Sequence, residues 1–238
     1  MYKGKNILGI IPARGGSKAI PKKNIKLLNG KPLIAYTIEE ALKSSFLDEV
    51  IVSTDSGEIA EIAKKWGAKV PFLRPKHLAK DNVPVVVPVS IHAIEFFEKN
   101  KNFIPDIVVI LQPTSPFRKA KYIDACIKKL ADTKADWVTT IFEVGTHPFR
   151  MYSLKGDKMD SLFKGEKIWG QRQDFPKVYA LNGAVYATWR KTFFSKKPFL
   201  KKDWRGIVMD SIEAVDIDNF IDFVLAESIL SGGFLNER

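Results

Sequence analysis

The chain has 238 residues, of which 45% are hydrophobic and 27% charged, a balance that excludes wholesale disorder. No run of 18 apolar residues occurs, which argues against a membrane-spanning helix, and no secretory-leader pattern precedes the first apolar segment. The net charge of +11 is compatible with nucleic acid, a membrane surface or a small anionic substrate as the partner. The single cysteine, Cys126, allows no internal disulfide, so we expect a cytoplasmic protein.

Strand and helix patterns alternate through the first half of the chain. Near-continuous apolar runs predict strands, at 6–12, 50–54, 70–73, 106–111 and 137–143. Segments with apolar residues on one helical face predict helices, at 32–44, 55–66, 87–99 and 122–131. This alternation predicts an α/β fold with a doubly wound, mostly parallel, Rossmann-like sheet.

The stretch 144–178 interrupts the alternation. It is polar and glycine-rich, yet it carries large aromatic residues: Phe149, Tyr152, Phe163 and Trp169. We interpret it as an inserted subdomain of short strands or hairpins whose exposed aromatic side chains form a subunit interface. Strands are predicted again at 184–188 and 214–217, followed by a final helix at 219–230.

The loop after the first strand has the composition of an anion site. Gly15 and Gly16 let the backbone turn closely around a ligand, and Arg14, Lys18 and Lys23 supply positive charge. The spacing matches neither a P-loop nor a dinucleotide-binding motif. An ordinary basic turn is the alternative, but ligands of open α/β sheets bind beyond the carboxyl ends of strands, which favours phosphate binding.

Five segments of the chain resemble, in the same order, the sequence blocks of the acylneuraminate cytidylyltransferases. They are IIPARGGSKAIPKKNIKLLNGKPLIAYTI, VIVSTDSGEIAEIAKKWGAKVPFLRP, LQPTSPFR, RQDFPKVYALNGAVY and AVDIDNFIDFVLAE. The resemblance implies one nucleotidyltransferase domain over 1–238, with the insertion at about 144–178 serving dimerisation and the sugar site. It also implies that the anomeric hydroxyl of a nonulosonic acid, such as sialic or legionaminic acid, attacks the α-phosphorus of CTP and releases pyrophosphate.

The resemblance assigns a nucleotide site and a metal site. The nucleotide-binding positions are Arg14, Gly15, Gly16, Ser17, Lys18, Lys23, Asn24 and Arg74. Asp216 and Asp218 match the family's carboxylate ligands for Mg²⁺ and would act in catalysis together with Arg14, Lys18 and Lys23. Alternate positions at the end of a predicted strand place both carboxylates on one face, although Asp218 alone could instead cap the last helix.

The sugar-binding positions implied by the resemblance are Gln112, Arg150, Arg172, Gln173, Asn182 and Tyr186. Arg150 stands where the family often has a basic residue near the substrate carboxylate, which an arginine can bind with two hydrogen bonds. The stretch 79–88 departs from the family pattern near Arg74, so a base other than cytosine stays open. Either Asp55 or Ser56 is expected to cap the helix that follows them. Asp55 could instead line the site, but we favour a capping role for it.

Alternatives remain within and outside this enzyme class. A related nucleotidyltransferase for pseudaminic acid or Kdo is the first, and the LQPTSPFR and RQDFP segments favour the sialic or legionaminic type over the pseudaminic type. A basic nucleic-acid-binding protein is the second, but neither zinc-finger spacing nor an aromatic and basic RNA-binding signature is visible. We therefore expect CTP and a nonulosonic acid as partners, no nucleic acid or membrane partner, and a homodimer.

Overall fold

The computed structural model describes residues 2–80, 86–101, 103–163, 171, 174–199 and 202–232. Its strands are β1 (Ile7–Pro12), β2 (Leu27–Leu28), β3 (Lys31–Pro32), β4 (Glu49–Ser53), β5 (Ile107–Ile110), β6 (Trp137–Glu143), β7 (Tyr152–Lys155), β8 (Lys158–Ser161), β9 (Tyr179–Trp189) and β10 (Trp204–Val208). Its α-helices are α1 (Leu33–Leu42), α2 (Gly57–Lys65), α3 (Val87–Asn100), α4 (Ala120–Thr133), α5 (Arg190–Phe193) and α6 (Phe220–Leu230). Single 3₁₀ turns lie at Lys23–Ile25, Lys76–Ala79 and Pro148–Arg150.

The main sheet has six strands in the order β10-β6-β9-β5-β1-β4. Strand β1 is parallel to both β4 and β5, and β10 is parallel to β6. Strand β9 lies between β5 and β6 and is antiparallel to both. The predicted α/β sheet is therefore confirmed, with one antiparallel strand inserted at its centre.

Both faces of the sheet are covered, which explains the unbroken apolar sequence of β1. Ile7 and Ile11 pack on one face in a core shared with α1, α2 and α4, whereas Leu8 and Ile10 pack on the other face with α3. Every residue of β1 is buried. A strand in this position has no polar face, in agreement with the sequence pattern.

Two predicted strands differ from the structure. Residues 70–73 do not form a continuous strand, because only isolated bridges join Lys69 and Leu73 to the β4 edge. Residues 214–217 form a turn and an extended loop, whereas the edge strand β10 lies earlier, where no strand is predicted. Gly206 weakens the strand pattern of β10, and a side chain at this position would force the Ile141 side chain to move.

The insertion contains the predicted hairpin. Strands β7 and β8 pair antiparallel and are joined by a turn at Gly156, whose φ is +65°. Its exposed apolar side chains are Met151, Tyr152, Leu154, Met159, Leu162 and Phe163. Trp169 lies outside the described residues. Among the described helices, none combines the length and apolar character that crossing a membrane requires.

Candidate active site

A cavity of about 350 Å³ opens at the carboxyl ends of β1 and β5. Most of the predicted nucleotide positions line it, together with Gln112 and Asp218. The lining residues are Pro12, Arg14, Ser17, Lys18, Ala19, Lys23, Asn24, Arg74, Gln112, Pro113, Thr114 and Asp218. An adjoining cavity of about 330 Å³ is lined in part by Arg14, Lys18 and Lys80, which extends the basic surface outward from the glycine loop.

The glycine loop is held from both sides by protein hydrogen bonds. The backbone N–H of Gly15 donates to Asp55 Oδ1 (2.9 Å), and Asn24 Nδ2 donates to the carbonyl of Arg14 (2.9 Å). A Cβ at Gly15 would lie 3.1 Å from Ser56 Cβ, so a glycine lets the loop approach the next strand end closely. The loop is thus organised before any ligand binds.

Asp55 does not cap α2, and the expectation of a capping role is wrong. The cap is Ser56, whose Oγ accepts from the N–H of Ile59 (3.4 Å). The Asp55 carboxylate instead turns toward the glycine loop and also lies 3.8 Å from Arg74 Nη2. Asp55 and Ser56 both follow β4, and only the contact of Asp55 with Gly15 distinguishes their roles.

Arg74 is a buried cation at the base of this cavity. Burial lowers the pKa of Arg74, the neighbouring Arg14 lowers it further, and Asp55 opposes both. Among the described residues, Arg74 Nε has no hydrogen-bond partner although it is buried. Two arginines in this arrangement favour an anionic or hydrogen-bond-accepting ligand, because such a ligand offsets the cost of keeping both charged.

Lys23 joins the glycine loop to the segment before α6. Its Nζ donates to the carbonyl of Ile217 (2.8 Å) and lies 3.7 Å from Asp218 Oδ1. The N–H of Ile217 in turn donates to the carbonyl of Thr114 (2.8 Å), which ties this segment to the end of β5. The predicted phosphate-binding and carboxylate groups therefore meet, although no strand carries the carboxylates.

Asp216 has the properties of a ligand-binding carboxylate. Burial raises the pKa of Asp216, and the Asp218 carboxylate raises it further, whereas the Thr114 hydroxyl and Lys23 act in the opposite direction. Its Oδ1 is buried, and neither this oxygen nor the nearby Thr114 Oγ1 has a hydrogen-bond partner among the described residues, although the hydroxyl lies close enough to lower the pKa. A buried oxygen left in this way is costly unless a cation or a donor binds it.

Asp218 is exposed and does not cap α6. The cap is Asn219, whose Oδ1 accepts from the N–H groups of Ile221 and Asp222. Within the described ranges, no three histidine, cysteine or carboxylate side chains gather into a metal site. Two carboxylates completed by water and phosphate oxygens would nevertheless suit Mg²⁺, which binds few protein ligands and retains water.

The predicted sugar residues are only partly brought together. A Cβ on Gly183 would lie 2.6 Å from Gln112 Oε1 and 3.7 Å from Asp216 Oδ2, so these three residues converge. Tyr186 is half-buried on β9, and burial together with Asp216 raises its pKa. The Asn182 side chain is buried and already bonded, with Oδ1 accepting from Thr140 Oγ1 (2.7 Å), which indicates that it shapes this wall from within.

The remaining sugar positions belong to the insertion. Arg150 is exposed, its guanidinium carbon lies 5.8 Å from the centre of the Phe175 ring, and it does not line the cavity. Arg172 and Gln173 lie outside the described residues. A role for Arg150 in sugar binding therefore stays a prediction, and it requires that the insertion reach a sugar-binding cavity.

Arg118 is a residue near the site that the sequence reasoning missed. It ends the LQPTSPFR segment and is only 1% exposed. Its Nη1 donates to the carbonyls of Gln112 (3.1 Å) and Ala184 (2.9 Å), and burial lowers its pKa to about 9. The sequence carries no local signal for this role, because burial and the two carbonyl contacts appear only in the folded chain.

A model of the cytidylyltransferase family matches residues 8–201 of the chain. The chain is 38% identical over 228 residues to CMP-N,N'-diacetyllegionaminic acid synthase of Legionella pneumophila, covering 94% of this chain and 96% of that protein. It is 34% identical over 220 residues to pseudaminic acid cytidylyltransferase of Campylobacter jejuni, covering 92% of this chain and 94% of the relative. N-acylneuraminate cytidylyltransferase of Escherichia coli is 32% identical over 94% of this chain, which spans 52% of that longer protein.

Solved structures support the fold independently. CMP:2-keto-3-deoxy-manno-octonic acid synthetase in complex with CTP aligns with a TM-score of 0.68 at 16% identity, over 96% of this chain and all of that one. The 4-diphosphocytidyl-2C-methyl-D-erythritol synthase of Anaerococcus prevotii aligns with a TM-score of 0.66 at 15% identity, again over 96% of this chain and all of the other. The family model, the extended sequence identity and the shared fold agree: this chain belongs to the cytidylyltransferase family.

Proposed function

We propose that this enzyme transfers CMP from CTP to a nonulosonic acid of the legionaminic or sialic type. The new bond joins the anomeric oxygen of the sugar acid to the α-phosphorus of CTP. The bond between the α-phosphorus and the pyrophosphate oxygen breaks, and the hydroxyl proton leaves to solvent. One observation carries the proposal: a single cavity is lined both by the cations of the glycine loop and by Asp218, whereas Asp216 does not line it and lies behind it, near Gln112 and Gly183.

The glycine loop and its cations bind the triphosphate. Arg14, Lys18 and Lys23 line the cavity and would neutralise the β- and γ-phosphates and the departing pyrophosphate. Asp55 and Asn24 fix the loop backbone in advance, so little reorganisation accompanies binding. We place the cytosine near Arg74, on the basis of the resemblance and of its buried position in the same cavity.

We assign Mg²⁺ as the cofactor and Asp216 and Asp218 as its protein ligands. The buried Asp216 Oδ1 accepts no hydrogen bond from the described residues. Asp218, two positions later, is exposed and offers a second carboxylate oxygen to the cation. Bound there, the cation would supply a divalent charge that offsets negative charge on the reacting phosphate. Lys23 connects this segment to the loop and holds its own charge 3.7 Å from Asp218.

Gln112 is our candidate for contact with the sugar hydroxyls. Its side-chain amide offers a donor and an acceptor, and it lies against Gly183 close to Asp216. This arrangement places the Gln112 amide next to Asp216, the proposed metal ligand. In the proposed reaction, the anomeric centre lies beside these two groups for in-line attack. Tyr186 and Asn182 would then form the wall behind it.

We also propose a homodimer in which the insertion contacts the neighbouring subunit. The exposed apolar side chains of the β7–β8 hairpin, such as Leu154 (70% exposed) and Met159 (60%), support an interface there. Arg150 lies on the same insertion and does not line the cavity of its own subunit, so we assign it to the partner's sugar carboxylate. Light scattering on wild type and on Leu154→Asp tests this, because a wild-type monomer would contradict it.

The experiment that tests the function measures pyrophosphate release with Mg²⁺, using CTP, GTP, ATP and UTP against legionaminic, sialic and pseudaminic acids. Release with CTP and legionaminic or sialic acid supports the proposal. Release with pseudaminic acid alone would favour the activity named for the Campylobacter jejuni relative. Silence of folded protein across all these combinations, and with Kdo added as a fourth sugar acid, would contradict the proposal. We place the reaction in the cytoplasm, where CTP is available.

A further inference from the structure

Arg118 is a buried charge without a carboxylate partner among the described residues. It is 1% exposed, it forms no ion pair within 4.0 Å among the described residues, and the one acidic group that acts on its pKa, Glu40, does so at longer range and binds Lys43. One terminal nitrogen donates to two carbonyls, while Nε and Nη2 are buried without hydrogen-bond partners in the described part of the chain. A buried cation of this kind is expensive, and a well-packed apolar side chain would fill the same space at lower cost.

The two carbonyls that Arg118 binds belong to two neighbouring segments beside the proposed sugar site, because β5 and β9 are adjacent in the sheet. The carbonyl of Gln112 follows the end of β5, and that of Ala184 lies on β9 beside Gly183. The Gln112 amide lies over Gly183, within 2.6 Å of where a Cβ would stand. Arg118 therefore holds two backbone segments: the one that carries the Gln112 side chain, and the one at Gly183 and Ala184 against which the Gln112 amide packs.

The contacts of Arg118 distinguish it from a residue that only stabilises the fold. Thr37 Oγ1 also donates to the Gln112 carbonyl, but at 3.4 Å, and it contacts only that segment. Arg118 bonds both segments through one nitrogen at the far end of its guanidinium, Nη1. A lysine keeps the charge, but its side chain is one bond shorter, so its ammonium group does not reach the position of Nη1.

We propose that Arg118 is a positioning residue that fixes the Gln112 amide for the sugar acid. The inference rests on the proposed function, in which Gln112 contacts the sugar. Loss of the guanidinium leaves Gln112 in place in the chain but free to move relative to Gly183. The affinity for the sugar acid then falls, whereas the triphosphate loop, which Arg118 does not touch through any described contact, binds CTP as before.

The test is a double-mutant cycle of Arg118→Lys with Gln112→Ala. We expect Arg118→Lys to raise the KM for the sugar acid about 10- to 100-fold, the range for hydrogen bonds to a charged group, and to change the KM for CTP less than about twofold. In the Gln112→Ala background the same substitution should have almost no further effect, because it acts through that side chain. Arg190→Lys is the matched control, since Arg190 pairs with Glu98 beside β9 and away from the cavity.

Equal increases in both KM values, or additive effects in the cycle, would overturn the proposal. A second readout needs no catalysis: the side-chain amide resonance of Gln112 in a ¹⁵N spectrum should shift or broaden in Arg118→Lys and stay unchanged in Arg190→Lys. An unmoved resonance overturns the inference even if wild type is silent with every sugar acid, an outcome that contradicts the proposed function separately. If Arg118→Lys does not fold, Arg118→Gln, which keeps one amide donor, takes its place in both measurements.

Discussion

Replacement of Gly183 by alanine tests the convergence of Gln112, Gly183 and Asp216. Gly183 has a φ of +72°, a left-handed conformation that costs an L-residue about 1–2 kcal/mol. In addition, the new Cβ would stand 2.6 Å from Gln112 Oε1, whereas Cβ atoms essentially never approach a neighbour within 3.0 Å. The substitution therefore strains the backbone and also forces the Gln112 amide away from its position.

Gly30→Ala is the matched control, because it has the strain without the collision. Gly30 has a φ of +76° in the turn between β2 and β3, and its Cβ would meet no atom within 4 Å. Both variants should lose about 1–2 kcal/mol, which corresponds to a decrease in Tm of about 2–8 °C in a domain of this size. Any excess loss in Gly183→Ala measures the collision with Gln112.

The activity separates the two variants. A displacement of about 1 Å at a reacting group can reduce turnover by about 10²-fold, so we expect such a loss in kcat/KM for the sugar acid in Gly183→Ala only. The assay is pyrophosphate release at varied sugar acid and saturating CTP, alongside thermal denaturation. A Gly183→Ala variant that keeps the wild-type KM and loses no more stability than Gly30→Ala would refute the geometry.

Three further predictions concern the carboxylates and cations. Asp216→Asn should abolish pyrophosphate release yet raise Tm at pH 7–8 in metal-free buffer. Because burial raises the pKa of Asp216 in the folded protein, wild type carries the full penalty above that pKa, and the gain should shrink as the pH falls from there to the ordinary carboxylate pKa. A gain in Tm that stays constant over this range would argue against burial as the cause. Lys23→Ala should raise the KM for CTP about tenfold, since a buried charge-assisted contact is lost, whereas Lys22→Ala, whose exposed lysine pairs with Glu58, should leave it unchanged. Asp55→Ala should raise the KM for CTP, and Asp55→Asn, which keeps an acceptor for the Gly15 N–H, should largely restore it; equal values in both variants would exclude a role for that hydrogen bond.

The features that the sequence predicts well are those set by local patterns. The apolar run of β1 and the glycine loop after it are read from contiguous residues, and their meeting with Arg74 follows from strand ends sharing one edge of the sheet. The antiparallel direction of β9 is not predictable in this way, because a run of apolar residues carries no sign of its direction.

The misassigned residues depend on tertiary contacts. Asp55 and Ser56 are both good caps by residue type, and only the nearness of Gly15 decides which one is used. Arg118 resembles a surface arginine until the carbonyls of Gln112 and Ala184 are seen around it. The strand at 204–208 is hard to predict because it contains Gly206, whose small size matters only because the Ile141 side chain packs against it.

The central position of β9 has a consequence for synthesis of the chain on the ribosome. Strand β5 pairs with β1 on one side, but its other edge stays open until β9, which ends about 80 residues later, becomes available. At about 5–20 residues per second this takes about 4–16 s. During that interval the nascent chain carries an apolar strand with unpaired backbone groups, the kind of edge that promotes aggregation. The β9 residues that would complete the proposed sugar-site wall are thus the same ones that close this open edge of β5.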